Sequence, residues 1–162
     1  MIREANENDL NELLQLYLHL HETSVPENDD HLAAVWSKIM SDDNYHLIVA
    51  EEDGRLVSSC TCIIVPNLTR GVSPYAFVEN VVTHKEYRGK GLASACLDYA
   101  RQIAINAGCY KMMLITGSSN PKTHDFYKKA GYSAEGKTAY YQMLKEVKQI
   151  MRLSLSSHGM RC

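Results

Sequence analysis

The hydrophobic residues of this chain change period near its middle. From Tyr75 to Thr83 they are β-branched and aromatic, as in a strand of a sheet. Beyond a polar, glycine-bearing stretch, Leu92, Cys96, Tyr99, Ala100, Ile103 and Ala107 fall three or four apart, the spacing of one face of an amphipathic helix. Gly108 stands where a helix end favours a residue tolerant of positive φ. The pattern predicts a strand, a glycine turn and a long helix in direct succession.

The flanking segments are read in the same way. Ile2 to Ala5 predicts a short first strand. Asp9, with Glu12 three residues on, has capping-box spacing, and Leu10, Leu13, Leu14, Tyr17 and Leu18 form the stripe of the helix it opens. His19 to Asn28, with Pro26, is a break. Asp29 or Asp30 caps a second helix with the stripe Leu32, Val35, Trp36, Ile39 and Met40. Tyr45 to Ala50 and Leu56 to Val65 are strands joined across Glu51 to Arg55, where Asp53-Gly54 is a strong hairpin signal. Pro66 to Pro74 is a longer loop. After Gly108, Tyr110 to Thr116 predicts a strand and Gly117 to Pro121 a loop, with Pro121 at the start of a helix to about Ala130. Gly131-Tyr132 ends that helix, and Thr138 to Leu144 predicts a last strand. The order is mixed α/β without internal repeats.

Composition narrows the setting. A chain of 162 residues suits one domain, expected over 1–144. Hydrophobic content of 45% and charged content of 22% are ordinary for a globular protein. A net charge of −2 disfavours a general nucleic-acid binder. No apolar run reaches the ~18 residues of a membrane span, and Met1-Ile2-Arg3-Glu4 does not open like a signal peptide. The five cysteines are odd in number and show no metal-binding spacing, which predicts reduced thiols in a cytoplasm and no metal. Cys60, Cys62, Cys96 and Cys109 are expected as small core fillers. The stretch 145–162 carries four basic residues against Glu146, a charge of +3 that leaves −5 on the rest. It is expected as a basic extension of weak order.

The glycine turn carries chemistry of its own. The first turn of a helix presents N–H groups without partners and partial positive charge. Gly89 and Gly91 let a ligand approach the backbone, while Arg88, Lys90 and the Ser94 hydroxyl add charge and donors. An anion such as a pyrophosphate fits such a site; a solvated chain reversal is the alternative. The Gly-Lys-Ser/Thr of a P-loop is absent. The dinucleotide fingerprint is nearly met by Gly89, Gly91 and Ser94, but it belongs to a first strand–turn–helix unit, and here more than half the chain comes before. A third pattern, R/Q-x-x-G-x-G/A, is met by Arg88-Gly89-Lys90-Gly91-Leu92-Ala93. With Val81-Val82-Thr83 ahead of it, this stretch resembles the acetyl-CoA loop of the GNAT superfamily of N-acetyltransferases. A second segment, Asn120 to Tyr132, is similar to that superfamily's N-x-x-A-x-x-[FL]-Y-x-K-x-G-[FY] signature, with Thr123 replacing the alanine.

The resemblance implies an α/β fold with a mixed, mostly antiparallel, V-shaped sheet of about six or seven strands and about four helices. It implies that backbone N–H groups from Arg88, Gly89, Lys90, Gly91, Leu92 and Ala93, with Ser94, hold the pyrophosphate of acetyl-CoA. Val81 and Thr83 pair with its pantetheine arm, an N–H at Val81 or Val82 polarises the thioester carbonyl, Asn120 bonds the arm, and the Tyr127 hydroxyl lies near the sulfur. Acetyl-CoA is then a co-substrate, the partner is a small primary amine, and transfer is direct in a ternary complex. A homodimer is the expected assembly.

An alkyl ammonium near ~10.4 must lose a proton at pH 7 at a cost of roughly 4.6 kcal/mol. Glu79, just ahead of the valines, is the candidate base and Tyr127 the candidate acid for the thiolate. His84 and His21 are weaker candidates for catalysis and substrate contact; His19 and His124 are expected at the surface. Arg70 and Tyr75 flank a loop that could border the acceptor. Cys109-Tyr110-Lys111, and Glu79 ahead of Val81-Val82, are similar to segments of the glucosamine-phosphate N-acetyltransferases without fixing a substrate. A non-catalytic acyl-CoA-binding module and an acetyltransferase of peptide amines remain open as alternatives.

Overall fold

In a computed structural model, which describes residues 1–20 and 22–144, the Asp53-Gly54 pair turns the chain tightly, with left-handed φ values of 51° and 74°. That backbone matches the twist of the strands it joins, β2 (Tyr45–Glu52) and β3 (Arg55–Val65). With β1 (Ile2–Glu4), β4 (Tyr75–Thr83) and β5 (Met112–Leu114) they form one sheet in the order β1-β2-β3-β4-β5. All neighbours are antiparallel except β4 and β5, which are parallel. The helices α1 (Leu10–Tyr17) and α3 (Leu92–Asn106) both pack against β3 and β4. α1 shares one buried cluster with Leu47, Val49, Leu56 and Val82, and α3 another with Ile48, Val57, Cys60, Cys62 and Val78. Leu47 and Val49 alternate with Ile48 along β2, so the two clusters occupy opposite faces of the sheet. The remaining helices are α2 (Asp30–Met40) and α4 (Pro121–Lys129).

Local signals place the helix ends closely. The Asp29 carboxylate caps α2 by accepting the Leu32 N–H at 2.8 Å. Past α3, Gly108 has φ 73°, and the Cys109 N–H reaches back to the Ala104 carbonyl at 2.9 Å. Asp9, in contrast, does not cap α1. It closes a capping box one turn earlier with Asn6, around a 3-10 turn over Glu7–Asp9, because Arg3 holds its carboxylate there.

That ion pair gives a stability prediction. Arg3 donates to both Asp9 oxygens at 2.6 and 3.0 Å and to Glu51 at 2.9 and 3.1 Å. The Arg3 guanidinium holds the Asp9 carboxyl below the usual carboxylate range; burial opposes this and the Asn6 N–H assists. Arg3→Met should therefore lower stability by about 2 kcal/mol at neutral pH. A depressed carboxylate contributes above its unfolded value and loses that contribution as pH falls through the folded one. Urea denaturation of wild type and variant should accordingly begin to converge as pH falls below about 4 and meet only below the depressed Asp9 value.

Several sequence expectations are corrected by the packing. On α1, Leu16 is buried and Leu18 partly exposed; on α3, Leu97 and Ala104 are buried in place of Tyr99 and Ala107. Helical spacing is satisfied by either stripe, and the sheet selects the face. α2 has no fully buried residue, and Trp36 packs only at the margin, its Nε1 donating to the Glu7 carbonyl at 3.2 Å. The strand expected over Tyr110 to Thr116 shortens to Met112–Leu114. Among the described residues the sheet has five strands, not six or seven. Thr138 to Leu144 forms no strand, and Tyr140, Tyr141, Met143 and Leu144 are 92, 78, 61 and 87% exposed. Its apolar residues lie on both alternating faces, so no register buries them all against one layer. The stretch 145–162 and His21 lie outside the described residues.

Candidate active site

The site begins with an irregularity in β4. Thr61 of β3 pairs with Glu79 and Ser59 pairs with Val82, so Cys60 alone faces two residues, Asn80 and Val81. This is a β-bulge. Asn80 takes φ 54°, a left-handed backbone that asparagine tolerates better than most residues. The extra residue sends Val81 to the α3 face and Val82 to the α1 face. The bulge also coincides with the end of pairing to β5, which covers only Ala76–Val78 against Met112–Leu114. Among the described residues no strand lies alongside one edge of β4 from Glu79 to Thr83, and an extended chain could add there.

That open edge runs straight into the glycine turn. The His84 imidazole accepts the Glu86 N–H at 3.3 Å and caps a 3-10 turn over Lys85–Tyr87. Gly89 and Gly91 follow with φ 79° and 81°, and no atom lies within 4 Å of where a Cβ would stand on either. Gly91 is the N-cap residue of α3 and supplies no side-chain cap. The first N–H donors of a fifteen-residue helix, at Leu92, Ala93 and Ser94, therefore meet whatever occupies the turn. Arg88 bends back, its Nε donating to the Thr83 carbonyl at 3.2 Å, and the Thr83 hydroxyl lies 2.8 Å from Ser58 Oγ. Lys90 Nζ sits 4.4 Å from the Tyr87 ring centroid and 3.8 Å from Glu52. The structure thus joins all the predicted turn residues to the edge residues Val81, Val82 and Thr83.

α4 supplies the other wall. The Asn120 side-chain Oδ1 accepts the Lys122 N–H at 3.0 Å, and Pro121 opens the helix. Tyr127 is half-buried against the α3-side cluster, 5.0 Å from the Phe126 ring and 6.0 Å from Tyr132. Burial pushes its phenol up, with smaller contributions from the Cys60 thiol and the Glu79 carboxylate. Glu79 pairs with Thr61 at the start of the bulge, and the Tyr127 ring packs on the α3-side cluster. Cys60 and Cys62 are fully buried thiols pushed up chiefly by burial, the latter to about 12.

The remaining candidates are spread out. His84 is half-buried, with its ring 4.2 Å from that of His19 and 5.6 Å from Tyr87. Packing, then the positive neighbours His84, Lys85 and Arg88, lower the His19 pKa. His124 is exposed on α4. Tyr75 opens β4 at the end away from the glycine turn, stacked near Tyr110 and 5.0 Å from Lys111 Nζ, with Arg70 in the loop before it. Among the described residues no group of three or more His, Cys, Asp or Glu side chains could hold a metal, and no helix is long and apolar enough to cross a membrane.

Residues 10–132 match the model of the acetyltransferase (GNAT) family. The chain belongs to that family. It is an acetyl-transferring enzyme, and the matched span takes in β4, the glycine turn and α4. The chain is 32% identical over 134 residues to a glucosamine 6-phosphate N-acetyltransferase of Trypanosoma brucei brucei, covering 82% of this chain and 88% of that one. It is 25% identical over 142 residues to a thialysine N-epsilon-acetyltransferase of Bos taurus, covering 81% and 82%. A solved structure of a putative acetyltransferase from Agrobacterium tumefaciens superposes with a TM-score of 0.82 at 37% identity, covering 88% of this chain and 99% of that one.

Within this GNAT fold, sequence reasoning missed Asn80, although a lone asparagine in a β-branched run is a fair signal for a bulge. It also read Tyr17 as a stripe residue and passed over Ser59 and Thr61. All three carry hydroxyls on the α1 face of the sheet beside Glu79, a placement with no local signature.

Proposed function

We propose that this enzyme transfers the acetyl group of acetyl-CoA to the primary amine of a small molecule, by direct attack in a ternary complex. The observation that carries the reading is the edge of β4, unpaired from Glu79 to Thr83 among the described residues, running directly into the glycine turn that opens α3, with Tyr127 of α4 packed on the α3-side cluster. In this reading the N–H groups of Arg88 to Ala93 and the Ser94 hydroxyl hold the pyrophosphate. The edge at Val81 and Thr83 receives the pantetheine arm, with Asn120 on its other side. The N–H of Val81 or Val82 stabilises the carbonyl oxygen as charge develops.

Glu79 takes the proton from the ammonium, directly or through water, and the freed nitrogen attacks the thioester carbon. As the carbon–sulfur bond breaks, the Tyr127 phenol protonates the departing thiolate, the resulting tyrosinate is reprotonated by the second proton leaving the acylated nitrogen, and Glu79 gives the first to solvent. An unperturbed phenol near ~10 gives its proton to a thiolate near ~8.5 at a cost of about 2 kcal/mol. Burial raises that cost.

The relatives named above act, by their names, on an amino-sugar phosphate and on an amino-acid side chain, and both acceptors are small primary amines. The test is CoA release from acetyl-CoA across amino sugars, amino acids, polyamines and a lysine peptide. Turnover on a small amine is the expected result. Turnover on the peptide alone, or acetyl-CoA binding without turnover on any acceptor, would overturn the reading. The same reading makes the protein a cytoplasmic homodimer. Free, buried thiols suit a reducing compartment, and a second copy would cover the exposed Tyr140, Tyr141, Met143 and Leu144.

A further inference from the structure

Ser59 and Thr61 are completely buried on β3, yet neither hydroxyl has a hydrogen-bond partner among the described residues. Both point to the α1 face, which is otherwise lined by Leu13, Leu16, Leu47, Val49 and Val82. An unpaired buried hydroxyl is unfavourable, and valine would fill the Thr61 position with the same shape. The Tyr17 phenol at the end of α1 is the polar group beside them. It is partly buried, and burial pushes it up to about 12, with smaller opposing contributions from the Thr61 and Ser59 hydroxyls.

Hydrogen-bond arithmetic leaves one proton over. Ser59 and Thr61 are two residues apart on one strand, about 6.6 Å, too far to bond each other. The Thr61 hydroxyl proton is therefore left without an acceptor among the described residues. The cross-strand partner of Thr61 is Glu79. Directly opposed residues keep their Cβ atoms about 5 Å apart on one face of the sheet.

We propose that Thr61, backed by Tyr17 and Ser59, is a positioning residue for Glu79: in the acceptor complex it donates the spare hydrogen bond to the carboxylate, keeping it ionised and turned toward the amine. This rests on the reading of Glu79 as the base. The other titratable groups around it are phenols and thiols: Tyr127 from α4, Cys60 beside Thr61, and Tyr45 of β2 beyond Tyr17. Tyr127, Tyr17 and Cys60 are all pushed up by burial, so they stay neutral below pH 8. Glu12 of α1 is committed to the Leu56 N–H at 2.8 Å, and His19 beyond α1 is packed on His84 at the turn.

The test is the pH profile of kcat, which reports groups in the enzyme–substrate complex, measured for Glu79→Gln, Thr61→Val and Thr61→Ser. Glu79→Gln should abolish the acidic limb. Thr61→Val should move that limb up by about one pH unit and lower kcat about tenfold, a loss of ~1.4 kcal/mol, with the KM for acetyl-CoA unchanged. Thr61→Ser keeps the hydroxyl and should restore the wild-type profile. Thr61→Val should melt no lower than wild type, since it removes an unpaired hydroxyl, so its activity loss is not unfolding. If Glu79→Gln removes the limb while Thr61→Val leaves it in place, the positioning role is overturned and the base survives. If Glu79→Gln leaves the limb unmoved, the base fails and the positioning role fails with it.

Discussion

Tyr127→Phe should lower kcat about a hundredfold or more, with little change in the KM for either substrate. The phenol is half-buried between Phe126 and Tyr132 and joins the α3-side cluster through its ring. Phenylalanine keeps that ring and its packing, so the fold and the free edge of β4 should survive. Only the proton is lost, and a positioned general acid contributes about 10²–10⁴ in rate. The pH dependence separates this from a packing defect. Without an internal donor, the thiolate must take its proton from solvent, and the basic limb that depends on a protonated phenol should vanish. Stopped-flow detection of released CoA checks both the rate and the limb. A variant that turns over within threefold of wild type would remove Tyr127 from the mechanism, although the glycine turn could still hold its anion.

Asn80→Val should cost about 2 kcal/mol of stability and lower kcat/KM about a hundredfold. Asn80→Gly should do neither. Asn80 sits at φ 54°, where a β-branched residue clashes with its own backbone and glycine does not. A chain that relieves the clash by becoming a regular strand must absorb the extra residue. Every side chain from Val81 onward would then exchange faces, because strand periodicity is two. Val82 would leave the α1-side cluster, and the edge that begins at Glu79 would shift against Tyr127. Misplacement of reacting groups by about 1 Å can cost a hundredfold. Thermal melts and steady-state kinetics on the two variants measure both effects. Equal behaviour of Val and Gly would show that the bulge is not needed.

Much of this architecture was readable along the chain, and the readable parts have a common cause. The hairpin at Asp53-Gly54, the left-handed Gly91 ahead of α3, the end of α3 at Gly108 and the start of α4 at Asn120-Pro121 all depend on the conformational preferences of one or two residues. Such preferences act within a few bonds, so sequence reports them directly. The motif residues from Val81 to Ser94 lie side by side for the same reason: they are consecutive. The faces of α1 and α3 were read less well. Leu16, Leu97 and Ala104 compete with Leu18, Tyr99 and Ala107 for burial, and helical spacing allows both sets.

What depends on distant partners was not readable. Thr138 to Leu144 has the composition of a strand but no strand beside it among the described residues, and composition alone does not form a ladder. Asp9 was drawn from the expected cap by Arg3, and Arg3 is held there also by Glu51, nearly fifty residues away. The proposed base and acid stand on β4 and α4, with the helix α3 and the strand β5 between them in sequence. The chain specifies each reactive group and the turn beside it, because local torsional preference and side-chain chemistry belong to individual residues. Which face each helix buries, where β4 loses its partner, and which hydroxyls stand behind Glu79 follow from packing two helical layers on one twisted sheet, since burial is shared among residues far apart in sequence.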